Sequence, residues 1–328
     1  MQLKKIAYLI GAGATHAEIL NLENNPSENF IQRNSLLISN VSRRVMDKAQ
    51  KIRGFRDKIE SVTYAGGALN IELLISLFTS NQIPGFKVST LKKLVRLDII
   101  ERLSRRRKGR FYLHKALLEL HSKVNDREHL LGIMSLNYDD ILDEAYNTFG
   151  IKPDYCHNSS FDKERLPLLK LHGSFNWKGK KINGKKSKIP IIPMGLNKNY
   201  LTPPYNFIWS RTFEVLVECD ILRVVGCSLS QNDIGLVDLL FKAHLHRSSD
   251  LKIEIIDFEE TGDAIKNNYG FFPGIIKPKD IEGTLIADER ISRAIGAGNP
   301  FKIWLKAKAE RMLAADDIRG TKYLRRCF

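Results

Sequence analysis

Four short stretches combine glycine, hydroxyl, amide, carboxylate and imidazole groups in spacings that can do chemistry: Gly11-Ala12-Gly13-Ala14-Thr15, Asn137-Tyr138-Asp139, His172-Gly173-Ser174 and Gly226-Cys227-Ser228-Leu229. In the first, the glycines let backbone N–H groups approach a pyrophosphate at a helix N-terminus, and Thr15 adds a hydroxyl donor. In the second, Asn137 and Asp139 stand at i and i+2, so both can face one crevice. In the third, an apolar run before His172 and a glycine after it leave room for a ligand, and histidine suits proton transfer near neutrality. Each stretch also has a plainer reading, as a tight turn, a helix cap or a structural histidine. The full G-x-G-x-x-G fingerprint fails because His16 replaces its third glycine, and no acid sits at the usual ribose distance, which disfavours a dehydrogenase. The eight histidines offer no metal spacing. His244 and His246 are two apart on a predicted helix and would point to different faces.

The elements that must position these groups are legible as apolar runs. Ile6–Ile10 is continuous and enters the glycine turn, as a strand buried on both faces does. Apolar residues recur at three and four residues from about Phe30 to Val124, which predicts a helical insertion. Strand character returns at Leu130–Leu136, followed by a helix over 141–149 started by Asp139 or Asp140. Further strands are expected at Leu168–Leu171, Ile189–Ile192, Ile221–Val225 and Leu251–Ile256, with helices over 207–217, 232–246 and 303–313. Alternating strands and helices imply an α/β fold, a Rossmann-like parallel sheet flanked by helices with a large helical insertion. The expected organisation is a core of residues 1–30 and 127–260, an insertion at 31–126 and a C-terminal extension at 261–328. Ligands of such sheets bind at the carboxyl ends of the strands, so the four stretches converge on one site.

Composition narrows the class. The 328 residues are 43% hydrophobic, enough for a sizeable core, and 52 Lys and Arg against 37 Asp and Glu give a net charge of +15. No run approaches the roughly 18–20 apolar residues of a membrane-spanning helix, so no membrane association is expected. The N-terminal apolar stretch is too short for a signal peptide. Cys156, Cys219, Cys227 and Cys327 lie far apart without a C-x-x-C pair, which argues against a disulfide framework and a zinc ribbon and makes the cytoplasm the expected compartment. The positive charge gathers in Lys178–Lys188, with six lysines in eleven residues, in Arg105–Arg110, and in the tail with Lys322, Arg325 and Arg326. These patches serve as a solvated surface, a contact for an acidic partner or a nucleic-acid contact, without aromatic interleaving or a nucleic-acid motif to choose among them.

Taken in order, the four stretches resemble the sirtuin superfamily, in particular the SIR2-like domains of bacterial antiphage defence systems, over Ile6 to about Asp257. The resemblance implies that Gly11, Ala12, Gly13 and Thr15 cradle the pyrophosphate of NAD and that Gly226 and Ser228 form the adenosine loop. It places Asp257 at the adenine ribose and assigns catalysis to Asn137, Asp139 and His172. Asn137 would hold the nicotinamide ribose or attacking water, Asp139 would orient the nicotinamide side, and His172 would act as general base. Deacylases of this family carry a four-cysteine zinc ribbon after the histidine and a Gly-Ile-Pro-Asp-Phe-Arg loop after the first turn. Here a lysine-rich stretch and His16 to Phe30 stand in those places. The resemblance therefore implies an NAD hydrolase with NAD as substrate and no metal, acting as a homo-oligomer or with a partner such as a HerA-like ATPase. The alternatives are a nucleic-acid-binding or nuclease subunit and a non-catalytic NAD or ADP-ribose sensor.

Overall fold

A computed structural model describes residues 3–22, 27–52, 56, 71–81, 87–104, 111–124, 128–160, 162, 164–177, 181–182, 185–186, 199–230, 233–248, 251–268, 275–276, 299–312 and 321–328. In chain order the strands are β1 (Lys4–Ile10), β2 (Glu128–Ser135), β3 (Leu168–Lys170), β4 (Lys181–Ile182), β5 (Lys185–Lys186), β6 (Ile221–Val225), β7 (Lys252–Ile256) and β8 (Ile275–Ile276). The helices are α1 (Ala12–Leu20), α2 (Glu28–Asn34), α3 (Ile38–Ala49), α4 (Ile71–Asn81), α5 (Val88–Ser104), α6 (Leu113–Glu119), α7 (Ile141–Thr148), α8 (Tyr205–Glu218), α9 (Ile234–Leu245), α10 (Glu259–Asn268) and α11 (Pro300–Met312). Strands β4 and β5 pair antiparallel as a separate hairpin within the lysine-rich stretch. The other six are parallel, in the order β3-β2-β1-β6-β7-β8.

This is a doubly wound Rossmann-like sheet, and its order reverses between β1 and β6, where a crevice opens beyond the strand ends. The apolar run of β1 is explained by burial on both faces. Ile6, Tyr8 and Ile10 enter one core cluster with α6, α7 and α11, while Ala7 and Leu9 enter the other with α8 and α9. Most of the insertion has its own core, built from Val41, Val45, Ile71, Leu74, Ile75, Leu91, Val95 and Ile99, and it takes in Tyr138 from the end of β2. Helix α6 instead packs in the main core, as does α11, which brings Phe301, Trp304 and Leu305 under the sheet. The tail is tied down because the buried carboxylate of Glu119 accepts backbone N–H bonds from Lys322, Tyr323 and Leu324 at 2.7–2.9 Å. Lys322, Arg325 and Arg326 remain exposed.

Several sequence expectations shift at the edges. The strand expected to run to Leu136 ends at Ser135, and the 232–246 helix starts at Ile234. Strand β8 lies in the stretch rich in glycine and proline, too short to show a period. The Ile189–Ile192 run, the Arg105–Arg110 cluster and the lysine-rich stretch apart from residues 181, 182, 185 and 186 lie outside the described residues.

A buried charge network crosses the sheet. Arg223 on β6 donates to Glu128 at 2.6 and 2.8 Å and to Glu254 at 2.8 Å, and Lys308 donates to Glu128 at 2.6 Å. Arg223 also donates to the Tyr8 hydroxyl at 3.0 Å, so the Tyr8 O–H is directed to His121 Nε2 at 2.7 Å and that nitrogen must accept. Burial, with the Arg223 cation nearby, accordingly lowers the His121 pKa to about 3. Burial alone would raise Glu128, but the Arg223 and Lys308 bonds and charges outweigh it and hold its carboxyl at about 2. Both folded values lie below the unfolded ones, so the unfolded chain binds more protons, and stability present above about pH 6.5 is lost as pH falls toward 3. Urea unfolding should show a loss on the order of 2 kcal/mol from pH 6.5 to 4.5 through His121. His121→Gln, which still accepts from Tyr8, should flatten that slope. An unchanged slope would acquit His121.

Candidate functional site

The four stretches meet at the carboxyl edge of the sheet. Gly11–Thr15, Asn137–Asp139, His172 and Gly226–Ser228 line one cavity of about 490 Å³, together with Asp257 at the end of β7. That volume suits a small-molecule or cofactor site. Thus Asn137 and His172, 35 residues apart in sequence, face the same space.

The glycines earn their place by packing. A Cβ on Gly11 would lie 2.5 Å from the Gly226 carbonyl oxygen, and one on Gly13 would lie 2.7 Å from Gly226 Cα. Gly226 itself has φ +57, and its Cβ would stand 2.1 Å from Ala14 N. The loops after β1 and β6 therefore touch backbone to backbone. Gly11 N–H donates to Val225 O at 3.0 Å, Gly13 N–H to Gly226 O at 2.8 Å, and Ala14 N–H to Gly11 O at 3.1 Å. The Gly11 and Gly13 N–H groups, which the sequence reading offers to a pyrophosphate, are thus engaged within the protein, as is the Thr15 hydroxyl, which donates to Asp139. What this loop presents to a ligand is the first turn of α1 at Ala12, with the positive end of its dipole.

Asn137, Thr15 and Asp139 form a directed chain. The Thr15 hydroxyl has one proton, which it donates to Asp139 Oδ2 at 2.7 Å, so it accepts from Asn137 Nδ2 at 3.0 Å. Asn137 Nδ2 gives its second proton to Gly11 O at 2.8 Å. The amide is thereby oriented, with its oxygen left to accept. Asp139 Oδ1 accepts from Ile141 N–H at 3.1 Å, at the start of α7. Both Asp139 oxygens are thus bonded within the protein, and Asp139 holds the Asn137–Thr15 pair in register. Behind this loop the buried Lys170 pairs with Asp143 at 2.9 Å and donates to Ser174 Oγ at 2.8 Å and to the Asp139 carbonyl. It ties the Asn137 and His172 loops together.

His172 is buried, 6% exposed, between two acceptors. Its Nδ1 lies 3.2 Å from Leu136 O and its Nε2 lies 3.0 Å from Asp233 Oδ2. Tyr200 donates its hydroxyl to Asp233 Oδ1 at 2.8 Å. The Tyr138 ring lies over the imidazole with centroids 6.0 Å apart. Burial first, and then the negative charges of Glu72 and Asp233, push the Tyr138 phenol well above its ordinary pKa, so it stays protonated.

Sequence reasoning misses Asp233, Tyr200 and Glu72. Asp233 falls inside the helix expected over 232–246; Tyr200 sits in a polar stretch; Glu72 belongs to an amphipathic helix of the insertion. Yet Glu72, with Leu36, Leu37, Val41 and Ile99 of the insertion, lines the cavity. The insertion is a wall of the site. Among the described lining residues the charged side chains are Glu72, Asp139, Asp233 and Asp257, alongside His16 and His172. Such a cavity favours a cation or developing positive charge. No group of three or more His, Cys, Asp or Glu that could hold a metal ion occurs among the described residues. The four cysteines are buried and unbridged.

A family model described as "SIR2-like domain" matches residues 132–250, which include Asn137, His172, Gly226 and Asp233. No curated protein matches the chain. Among solved structures, a Sir2 homologue–NAD complex is similar at 12% identity and TM-score 0.41, covering 94% of this chain and 91% of that one. A Sir2 homologue in complex with 2'-O-acetyl ADP-ribose is similar at 12% identity and TM-score 0.44, covering 95% and 94%.

Proposed function

We propose that this chain hydrolyses NAD+ at the nicotinamide–ribose N-glycosidic bond, releasing nicotinamide and ADP-ribose, and that it acts in antiphage defence by depleting NAD. The observation that carries the reading is the shared cavity at the strand-order reversal, with an oriented amide and an imidazole facing one space lined by carboxylates. The SIR2-like match over residues 132–250 supports it.

The chemistry follows from charge. The electron pair of the C–N bond leaves with nicotinamide, the ribose becomes oxocarbenium-like, and water bonds to the anomeric carbon and gives up a proton. Asn137 uses its free carbonyl oxygen to orient the ribose or the water. The His172–Asp233 pair takes up the proton and passes it to solvent. Glu72 and Asp139 stabilise positive charge from two walls, and the α1 N-terminus receives the pyrophosphate. Unrestrained hydrolysis would exhaust the host's NAD, so the activity is held in check by oligomerisation or a partner, for which a HerA-like ATPase is the candidate.

The test is chromatography of NAD incubated with the purified chain, alone and with a candidate partner. Equimolar nicotinamide and ADP-ribose are expected. NAD left intact in every mixture would reject the reading. A second measurement concerns the adenine ribose. Asp257 lines the cavity at the end of β7, and its carboxylate disfavours a ribose 2'-phosphate. NADP should therefore have a kcat/KM at least about tenfold below that of NAD. Asp257→Asn should narrow the gap, and equal efficiencies in the wild type would remove Asp257 from that role.

A further inference from the structure

Asp233 forgoes a common stabilising bond. It is the N-cap residue of α9, where an aspartate ordinarily accepts a backbone N–H of the first turn, yet its side chain makes no capping hydrogen bond. Its carboxylate turns instead to His172 Nε2 and the Tyr200 hydroxyl. The support for Tyr200 is equally specific. Its ring lies 3.9 Å from Trp209, centroid to centroid, and Trp209 Nε1 donates to Leu171 O at 3.0 Å, the residue before His172. The ring also rests against Gly235, where a Cβ would stand 2.1 Å from Tyr200 Cε2. A closed circuit runs from Leu171 through Trp209, Tyr200 and Asp233 back to His172.

We propose that Asp233 is the positioning residue for His172, accepting its Nε2–H, and that Tyr200, seated on Gly235, holds Asp233 in place. With Nε2–H committed to Asp233 the ring is held in one orientation, and Nδ1 is the nitrogen that takes up the proton, its N–H then facing Leu136 O at 3.2 Å. This deepens the proposed hydrolysis and rests on His172 handling a hydroxyl or water proton there. Asp233 acts through His172. Removing it costs turnover rather than binding.

The closing experiment has two independent arms. In the chain labelled with 15N-histidine and free of NAD, the His172 Nε2–H should give a downfield proton resonance, as bonds to a charged acceptor do. It should disappear in Asp233→Ala and weaken in Tyr200→Phe and Gly235→Ala, with His172→Gln serving to assign it. In the turnover arm, Asp233→Ala should lower kcat by about 10–100-fold, the cost typical of losing a partner that orients a histidine. KM should stay within about threefold. Asp233→Asn keeps the size and an acceptor oxygen, and should recover part of kcat, which guards against a folding defect in the alanine variant. Absence of the resonance in the wild type, its persistence in Asp233→Ala, or wild-type kcat in Asp233→Ala would overturn the proposal. A wild-type chain that shows the resonance, loses it in Asp233→Ala and leaves NAD intact would uphold the pairing while rejecting the hydrolase reading.

Discussion

Asn137→Ala is expected to lower kcat for NAD by about a thousandfold, and His172→Ala by a similar factor. The Asn137 amide spends both N–H groups on Gly11 O and Thr15, so it is held without rotational freedom and its oxygen is the atom left to accept. A group oriented in advance does not have to reorganise as charge develops, which is where much of its catalytic value arises. Alanine removes the acceptor and also the N–H that the Thr15 hydroxyl accepts. A misplacement of about 1 Å there can itself cost on the order of a hundredfold. The stability cost should stay near 1–2 kcal/mol, since two hydrogen bonds are lost at a partly buried position. A folded variant that still binds NAD and fails to turn it over is therefore the expected result, read by calorimetry beside product chromatography. Turnover equal to wild type in both variants would reject the site.

Gly226→Ala should be the most damaging single-methyl change, lowering stability by about 4 kcal/mol or more and abolishing NAD binding. Two effects add. At φ +57 a Cβ costs roughly 1–2 kcal/mol for any L-residue. The second effect is steric, because the new Cβ would lie 2.1 Å from Ala14 N and 2.4 Å from Gly13 C, both rigid backbone. The loops after β1 and β6 must separate, breaking the Gly13 N–H to Gly226 O bond and misplacing the start of α1. Gly150 provides the matched control. Its φ is +67, and nothing lies within 4 Å of its would-be Cβ, so Gly150→Ala should cost only the conformational part, roughly 1 kcal/mol. Thermal unfolding of the two variants separates strain from collision. Equal losses would show that the contact between the loops relaxes freely.

The parts of the fold legible from residue order are those whose signal is local. Ile6–Ile10 and Ile221–Val225 are buried on both faces and read as apolar runs, the second broken only by Arg223, while Leu251–Ile256 alternates with the half-buried Lys252 and Glu254. The glycines after β1, Asn137 and Asp139 after β2, and His172 after β3 stand at strand ends that a parallel sheet brings to one edge. Arg223 was hidden inside such a run: nothing beside it in sequence announces that Glu254 on the neighbouring β7 and Glu128 on β2, beyond β1, will neutralise it. The helices of the insertion were readable from their period, but which of their residues would reach the cavity was not, because Glu72 and Ile99 look like any positions on an amphipathic helix.

By itself the order of residues determined the sheet, the crevice at its carboxyl edge and the chemical types offered there, since periodicity and glycine turns act over a few residues. Tertiary structure alone decided which groups are already committed. It spent the Gly11 and Gly13 amides on the neighbouring loop, locked Asp139 onto Thr15 and Ile141, and drew Asp233 away from capping its own helix toward His172. Hydrogen bonds satisfy buried polar groups with whatever partner the packing brings within reach. The partners of His172, Thr15 and Gly13 lie 61, 124 and 213 residues away in the chain, beyond what any local pattern records.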